Sequence, residues 1–117
     1  MKTTTEIEYR GRRIGDAGPQ PVTVIERVNG IAHRTYPLRQ RIIWHSPDGF
    51  QWGYGGSAPS DLALNLLLHA TGDEETARAL HQRLKWAFVA GWGDEWSITQ
   101  AEVLAWVGAQ VAQEVAP

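Results

Sequence analysis

The segment from Ala58 to Ala70 constrains the fold of this chain more than any other, because leucine and alanine lie on nearly every side of a helix drawn through it. A helix that is apolar almost all round is usually central and buried. Pro59 suits the first turn, Ser57 is the expected capping residue, and Thr71-Gly72 ends the helix. We therefore expect residues 61–70 to form the centre of one core.

Two further helices are predicted after this one. The first runs from about Glu74 to Val89 and is capped by Asp73. The second has the clearest start in the chain, because Thr99 and Glu102 have the spacing of a capping box. The apolar faces of these helices are Ala77, Leu80, Leu84, Ala87 and Phe88 in the first, and Val103, Trp106, Val107 and Val111 in the second.

The first half of the chain has the pattern of strands and turns. Apolar and charged residues alternate around Tyr9, and Val22–Ile25 is a β-branched run typical of a strand. Asn29-Gly30 is typical of a tight hairpin turn, and Ser46–Gly49 of a type I turn. The remaining strand candidates are Ile31–Tyr36, Leu38–Trp44 and the segment in which Phe50, Trp52 and Tyr54 alternate.

These elements predict an α+β fold: a small, mostly antiparallel sheet from the N-terminal half, packed against three C-terminal helices. With 117 residues, 43% of them hydrophobic, the chain is expected to form a single domain, residues 1–117. No apolar run is long enough to span a membrane, and the first residues lack the apolar segment of a secretory signal. We therefore expect a cytoplasmic protein without a membrane partner.

Charge is unevenly distributed. Residues 1–50 carry eight Lys/Arg and five Asp/Glu, whereas residues 51–117 carry three and eight, so the net charges are +3 and −5. A weak basic excess fits solvated strand residues better than a nucleic-acid surface, and sequence-specific DNA binding is not expected. The arginines of the first half are Arg10, Arg12, Arg13, Arg27, Arg34, Arg39 and Arg41.

Residues 46–64 form a motif dense in glycine and aromatic residues, S-P-D-G-F-Q-W-G-Y-G-G-S-A-P-S-D-L-A-L. It resembles the pattern S-P-x-G-F-x-W-G-Y-G-G-S-G-P-A-x-L-A-L of an uncharacterised family of small bacterial and bacteriophage proteins, a domain of unknown function. The chain departs from that pattern at Ala58, where the family has glycine, and at Ser60, where it has alanine. The resemblance implies no activity.

The same motif is the candidate site. Gly53, Gly55 and Gly56 allow close backbone approach and lead into a helix N-terminus, where Ser57 adds a hydroxyl and free amides attract anions. Trp52 and Tyr54 could stack on a base, and Arg41 is the first arginine expected to add charge. In the alternative interpretation the glycines serve packing, Ser57 caps the helix and the aromatic residues belong to the core.

Catalysis and metal binding are not predicted. The chain has no cysteine, and His33, His45, His69 and His81 lack metal-ligand spacing, so neither a metal nor a cofactor is expected. The helical Trp86 and Trp106 are expected to pack in or beside the core, and Trp92 and Trp96 to lie in a loop.

The sequence therefore favours a small non-enzymatic protein that binds another protein, such as a host factor. The alternative is a nucleotide- or anion-binding protein that uses the glycine-rich motif, and nucleic-acid binding through the N-terminal arginines ranks third. A tryptophan-rich surface or strand pairing could also produce a homodimer.

Overall fold

The computed structural model describes residues 2–115, which form a four-stranded sheet and three α-helices. The strands are β1 (Thr5–Arg12), β2 (Val22–Val28), β3 (Ile31–Pro37) and β4 (Glu95–Thr99). The helices are α1 (Ser57–Thr71), α2 (Glu74–Ala87) and α3 (Gln100–Val115), and a short 3-10 turn spans Val89–Gly91.

The sheet is antiparallel throughout, in the order β3-β2-β1-β4. The predicted hairpin between β2 and β3 is confirmed, because Asn29 and Gly30 have positive φ angles of 53° and 82°. Such a pair gives the turn a twist that matches the two strands it joins. The predicted α+β fold is confirmed as well.

Helix α1 lies at the centre of the core, as its composition predicts. Leu62, Leu64, Leu66 and Leu67 are fully buried. The helix packs against both α2 and α3, and its leucines share one apolar cluster with the sheet. The sheet residues of that cluster are Tyr9, Val22, Val24, Trp96 and Ile98.

Two predicted strands are absent from the described chain. Residues 38–44 and 50–54 form a long irregular connection between β3 and α1. Alternating apolar residues suggested strands here, but their backbone has no neighbouring strand to pair with. Several amides of the first segment instead donate to polar side chains of α1. The predicted turn is present at Pro47-Asp48.

Strand β4 is the element that the sequence interpretation missed. Trp96 was expected in a loop, but it lies on β4 opposite Gly11 of β1, and Ile98 lies opposite Tyr9. Both Trp96 and Ile98 are buried, so the short strand has the alternation of a half-buried edge. Its five residues lie between a Gly-Asp turn and the capping box, which leaves too short a pattern to recognise.

The helix boundaries are mostly as predicted. Asp73 caps α2 by accepting from the amide of Glu75, and Thr99 and Glu102 form the predicted capping box. Helix α1 does begin at Ser57, but the prediction that Ser57 caps it is wrong. Gly56 occupies the capping position, and no side chain caps the helix there.

The prediction that Trp86 packs in or beside the core is also wrong, because its side chain is 66% exposed. The apolar faces predicted for α2 and α3 are therefore shorter than expected. Ala87 and Val111, at their C-terminal ends, are exposed, whereas Trp106 is partly buried against Phe88.

We predict that Leu66→Ala or Leu67→Ala lowers the free energy of unfolding by about 2–5 kcal/mol, because each leaves a cavity at the centre of the core. Urea titrations followed by tryptophan fluorescence measure the change. Leu104→Ala on the exposed side of α3 is the control and should cost less than about 1 kcal/mol. Equal effects at the two kinds of position would contradict the central placement of α1.

Candidate functional site

Trp52, the first residue of the predicted site, lies in the core. Its ring is fully buried, meets Trp96 edge-to-face at 5.5 Å between centroids, and donates from Nε1 to the carbonyl of Gly93 at 2.7 Å. Trp96 in turn stacks on Trp92 at 3.9 Å. Trp52 thus anchors the glycine-rich segment and the β4 edge to one another.

The rest of that segment follows the protein surface. Tyr54 is 51% exposed and its ring lies against Gly56. The ring of Trp86 lies directly over Gly55, where any larger residue would collide with the indole. Lys85 Nζ donates to the carbonyl of Gly55 at 3.1 Å, so helix α2 holds this backbone in place.

Arg41 is not at this segment. It lines a separate pocket beside β3, whereas the arginine that reaches the segment is Arg13. Arg13 Nη2 donates to the carbonyl of Trp52 at 3.2 Å, and its Nε pairs with Asp94 at 3.1 Å. Ser57 is exposed near Tyr54, in a shallow hollow that also contains Asp48. An anion-binding role for Gly53–Ser57 stays a prediction.

The structure places a different set of polar side chains at the centre of the molecule. Asp61, Asn65 and His69 follow one another at four-residue spacing on α1, which puts them on one side of the helix. We call these three residues the polar stripe. The signal was present in the sequence as three polar residues at this spacing within an otherwise apolar helix.

Asp61 is fully buried and organises the loop that precedes the glycine-rich segment. Its carboxylate accepts from the backbone amides of Trp44, His45 and Ser46 at 3.0–3.1 Å, and from Gln40 Nε2 at 3.0 Å. The cost of burying a charge is offset here by several directed hydrogen bonds.

Asn65 continues the same function one turn later. Its Oδ1 accepts from the amides of Arg41 at 2.8 Å and Ile42 at 3.1 Å, and its Nδ2 donates to the Ile42 carbonyl at 3.0 Å. Asp61 and Asn65 together take the place of a neighbouring strand for residues 41–46.

His81 of α2 and His45 of this loop share a hydrogen bond between their Nε2 atoms at 3.0 Å. His81 Nδ1 donates to the carbonyl of Arg78 at 2.7 Å, so in the neutral ring Nε2 accepts and His45 is the donor. Burial lowers the pKa of His81 below its ordinary value. Trp44 stacks on both rings, with centroids 4.8 Å away in each case.

Exposed aromatic side chains surround this His pair and the glycine-rich segment. Trp44 is 50% exposed, Tyr54 51% and Trp86 66%. Trp44 lies against His81 of α2, while Trp86, five residues further along that helix, covers Gly55 next to Tyr54. We call Trp44, Tyr54 and Trp86 the aromatic face.

His69, the last member of the polar stripe, links two strands. Tyr36 donates to Glu26 at 2.6 Å, so its oxygen accepts from His69 Nε2 at 2.8 Å, and His69 Nδ1 accepts from Tyr9 at 2.8 Å. Burial, with the hydrogen bond to Glu26, raises the pKa of Tyr36 to about 12. Burial lowers the pKa of His69.

Within residues 2–115, no three histidine or acidic side chains come together in a way that could hold a metal ion. Among the helices of that same range, none is long and apolar enough to cross a membrane.

These features define a small α+β protein in which an antiparallel sheet packs against a central helix that carries a buried polar stripe. The chain belongs to the family of unknown function DUF6166, whose pattern matches residues 9–109. No curated protein and no solved structure matches the chain.

We predict that Asp61→Ala lowers the free energy of unfolding by more than about 3 kcal/mol, because it leaves buried amides without an acceptor. Amide hydrogen exchange should show lost protection at Trp44, His45 and Ser46. Asp48→Ala, which removes an exposed carboxylate from the same loop, is the control and should retain both stability and protection. Protection at those three amides that survives Asp61→Ala would contradict the proposed role of the carboxylate.

A second prediction concerns pH. Because burial lowers the pKa of His69 and of His81 from 6.5, the unfolded chain takes up these protons before the folded chain does as the pH falls. The free energy of unfolding should therefore decrease when the pH falls below about 6.5. Denaturant titrations across this range measure the effect, and NMR titration should give both histidines pKa values below 6.5.

His33→Gln, at an exposed position on β3, should leave this pH dependence unchanged, whereas His81→Gln should reduce it. A free energy of unfolding that stays constant through the histidine range would contradict the prediction.

Proposed function

We propose that this chain is a small non-enzymatic protein-binding module that contacts its partner through the aromatic face. The observation that carries the proposal is that Trp44, Tyr54 and Trp86 are each at least half exposed while the fold holds them in place. Tryptophan and tyrosine are the side chains that most often dominate the binding energy of protein interfaces.

The aromatic face is organised before any partner arrives. Trp44 is held by its stacking on His45 and His81, and the guanidinium of Arg78 lies 5.2 Å from the ring centroid of Trp44. Trp86 lies against the backbone of Gly55, with Lys85 Nζ 4.6 Å from its ring centroid. Side chains that are already ordered lose little conformational entropy on binding, which favours affinity.

The charges around the aromatic face favour a protein over a nucleic acid. Arg78 pairs with Glu74 at 2.9 Å, and Lys85 is buried and bonded to the carbonyl of Gly55. Neither cation is free for a phosphate backbone, and residues 51–117 have a net charge of −5. The complementary partner is therefore a protein surface with apolar side chains and a basic rim.

A binding role also fits the state of the histidines. Both ring nitrogens of His69 and both of His81 take part in hydrogen bonds within the protein. None of these four nitrogens is available as a general base, which needs a free acceptor directed at a substrate. The resemblance of the motif to small bacterial and bacteriophage proteins makes a cytoplasmic host protein the expected kind of partner.

The proposal is tested by placing a photo-crosslinking phenylalanine derivative at Trp86 and, separately, at Ile31, which is 73% exposed at the far hairpin. We expect one protein to be crosslinked from position 86 and not from position 31. With that protein purified, calorimetry should show that Trp86→Ala and Trp44→Ala each weaken binding at least about tenfold.

Ile31→Ala is the matched control, because it removes an exposed apolar side chain elsewhere, and it should change the affinity by less than about twofold. Crosslinking only to nucleic acid, or an affinity that Trp44→Ala and Trp86→Ala leave unchanged, would overturn the proposal.

A further inference from the structure

The arginines of the first half of the chain fall into two groups. Arg10 and Arg27 pair with Glu8 at 2.8 and 2.6 Å, Arg12 pairs with Glu95 at 3.3 Å, and Arg13 pairs with Asp94. The second group, which pairs with no acidic residue in the part of the chain that the structure describes, is Arg34, Arg39 and Arg41.

All three arginines of the second group line one pocket, between the end of β3, the loop after it and helix α1. The pocket has a volume of about 260 Å³. Leu38, Tyr36 and His69 contribute to its lining, so an apolar and aromatic surface lies among the three cations. Asn65 fixes the backbone of Arg41 at this place by accepting from its amide.

No carboxylate lines this pocket. The nearest acidic partner in the network is Glu26, and the hydroxyl of Tyr36 already donates to it. Because burial and the proximity of Arg41 both disfavour the protonated ring, His69 is neutral and does not add a further positive charge. The positive potential of the pocket therefore comes from the guanidinium groups alone.

We propose that this pocket binds a phosphorylated small molecule of about mononucleotide size. The binding site goes beyond the proposed protein contact and contains no residue of the aromatic face. Guanidinium groups bind phosphate oxygens through paired, charge-assisted hydrogen bonds, and three of them fit a doubly charged phosphate monoester better than a single carboxylate.

The remainder of the ligand is compact and flat. The pocket volume lies just below the range of about 300–1,000 Å³ that is usual for small-molecule sites, which excludes dinucleotides and larger cofactors. The guanidinium of Arg34 lies 4.7 Å from the ring centroid of Tyr36, which gives the wall a planar surface for stacking. A nucleobase or another planar ring fits this surface.

The test uses the full chain in phosphate-free buffer at low salt, with AMP, adenosine, inorganic phosphate and a single-stranded oligonucleotide as probes. We expect saturable binding of AMP by calorimetry and NMR shifts at Arg39, Arg41 and His69. Adenosine, which lacks the phosphate, should bind at least about tenfold more weakly, which is about the value of one charge-assisted hydrogen bond.

Arg39→Gln with Arg41→Gln should weaken AMP binding at least about tenfold without unfolding the protein, because neither side chain forms a hydrogen bond within residues 2–115. Arg10→Gln with Arg12→Gln makes the same change of charge on the paired arginines and should leave binding unchanged. Trp86→Ala should also leave it unchanged, which separates this site from the aromatic face.

Three results would overturn the proposal. The first is an equal loss of AMP binding in both double variants, since this would indicate attraction by net charge only. The second is the absence of saturation with AMP and with inorganic phosphate. The third is tighter binding of the oligonucleotide than of AMP, which would indicate a nucleic-acid surface instead of a small-molecule pocket.

Discussion

The carboxylate of Asp61 is the interaction on which the rest of the surface depends. A charged group in the centre of a leucine-rich helix is costly unless nearly every oxygen lone pair has a donor. Backbone amides from Trp44 to Ser46 provide most of those donors, so burial of Asp61 requires the loop to fold over α1 in one conformation. The helix therefore determines the path of a segment that has no regular secondary structure of its own.

The two surfaces proposed for binding are connected through that loop. Its end near Ser46 carries Trp44 and His45 against α2, while its start carries Arg39 and Arg41 beside β3. Asp61 holds the first end and Asn65 the second, one helical turn apart. A rigid spacer of this kind positions both surfaces without a sheet, which is how loops on a fixed scaffold commonly carry function.

Local signals predicted most of the fold. The Asn29-Gly30 turn, the Asp73 cap and the Thr99 capping box each act within a few residues, so their chemistry can be read directly from the sequence. Residues 38–44 and β4 could not be assigned this way. The first has strand-like composition but no neighbouring strand, and the second forms only because β1 offers an edge that is distant in sequence. Pairing between distant segments is what local patterns omit.

The candidate site shows the same limit from the opposite direction. Glycine and aromatic residues drew attention to residues 52–57, yet Trp52 serves the core and Gly55 provides space for Trp86. The density of a motif reports how tightly a segment is packed as much as what it binds. Arg41 was identified for its charge, but its neighbours Arg34 and Arg39 are brought to it by the bend after β3, where Pro37 ends the ladder. Charges converge on a site through tertiary structure, and so the unpaired arginines are informative only once their acidic neighbours are known.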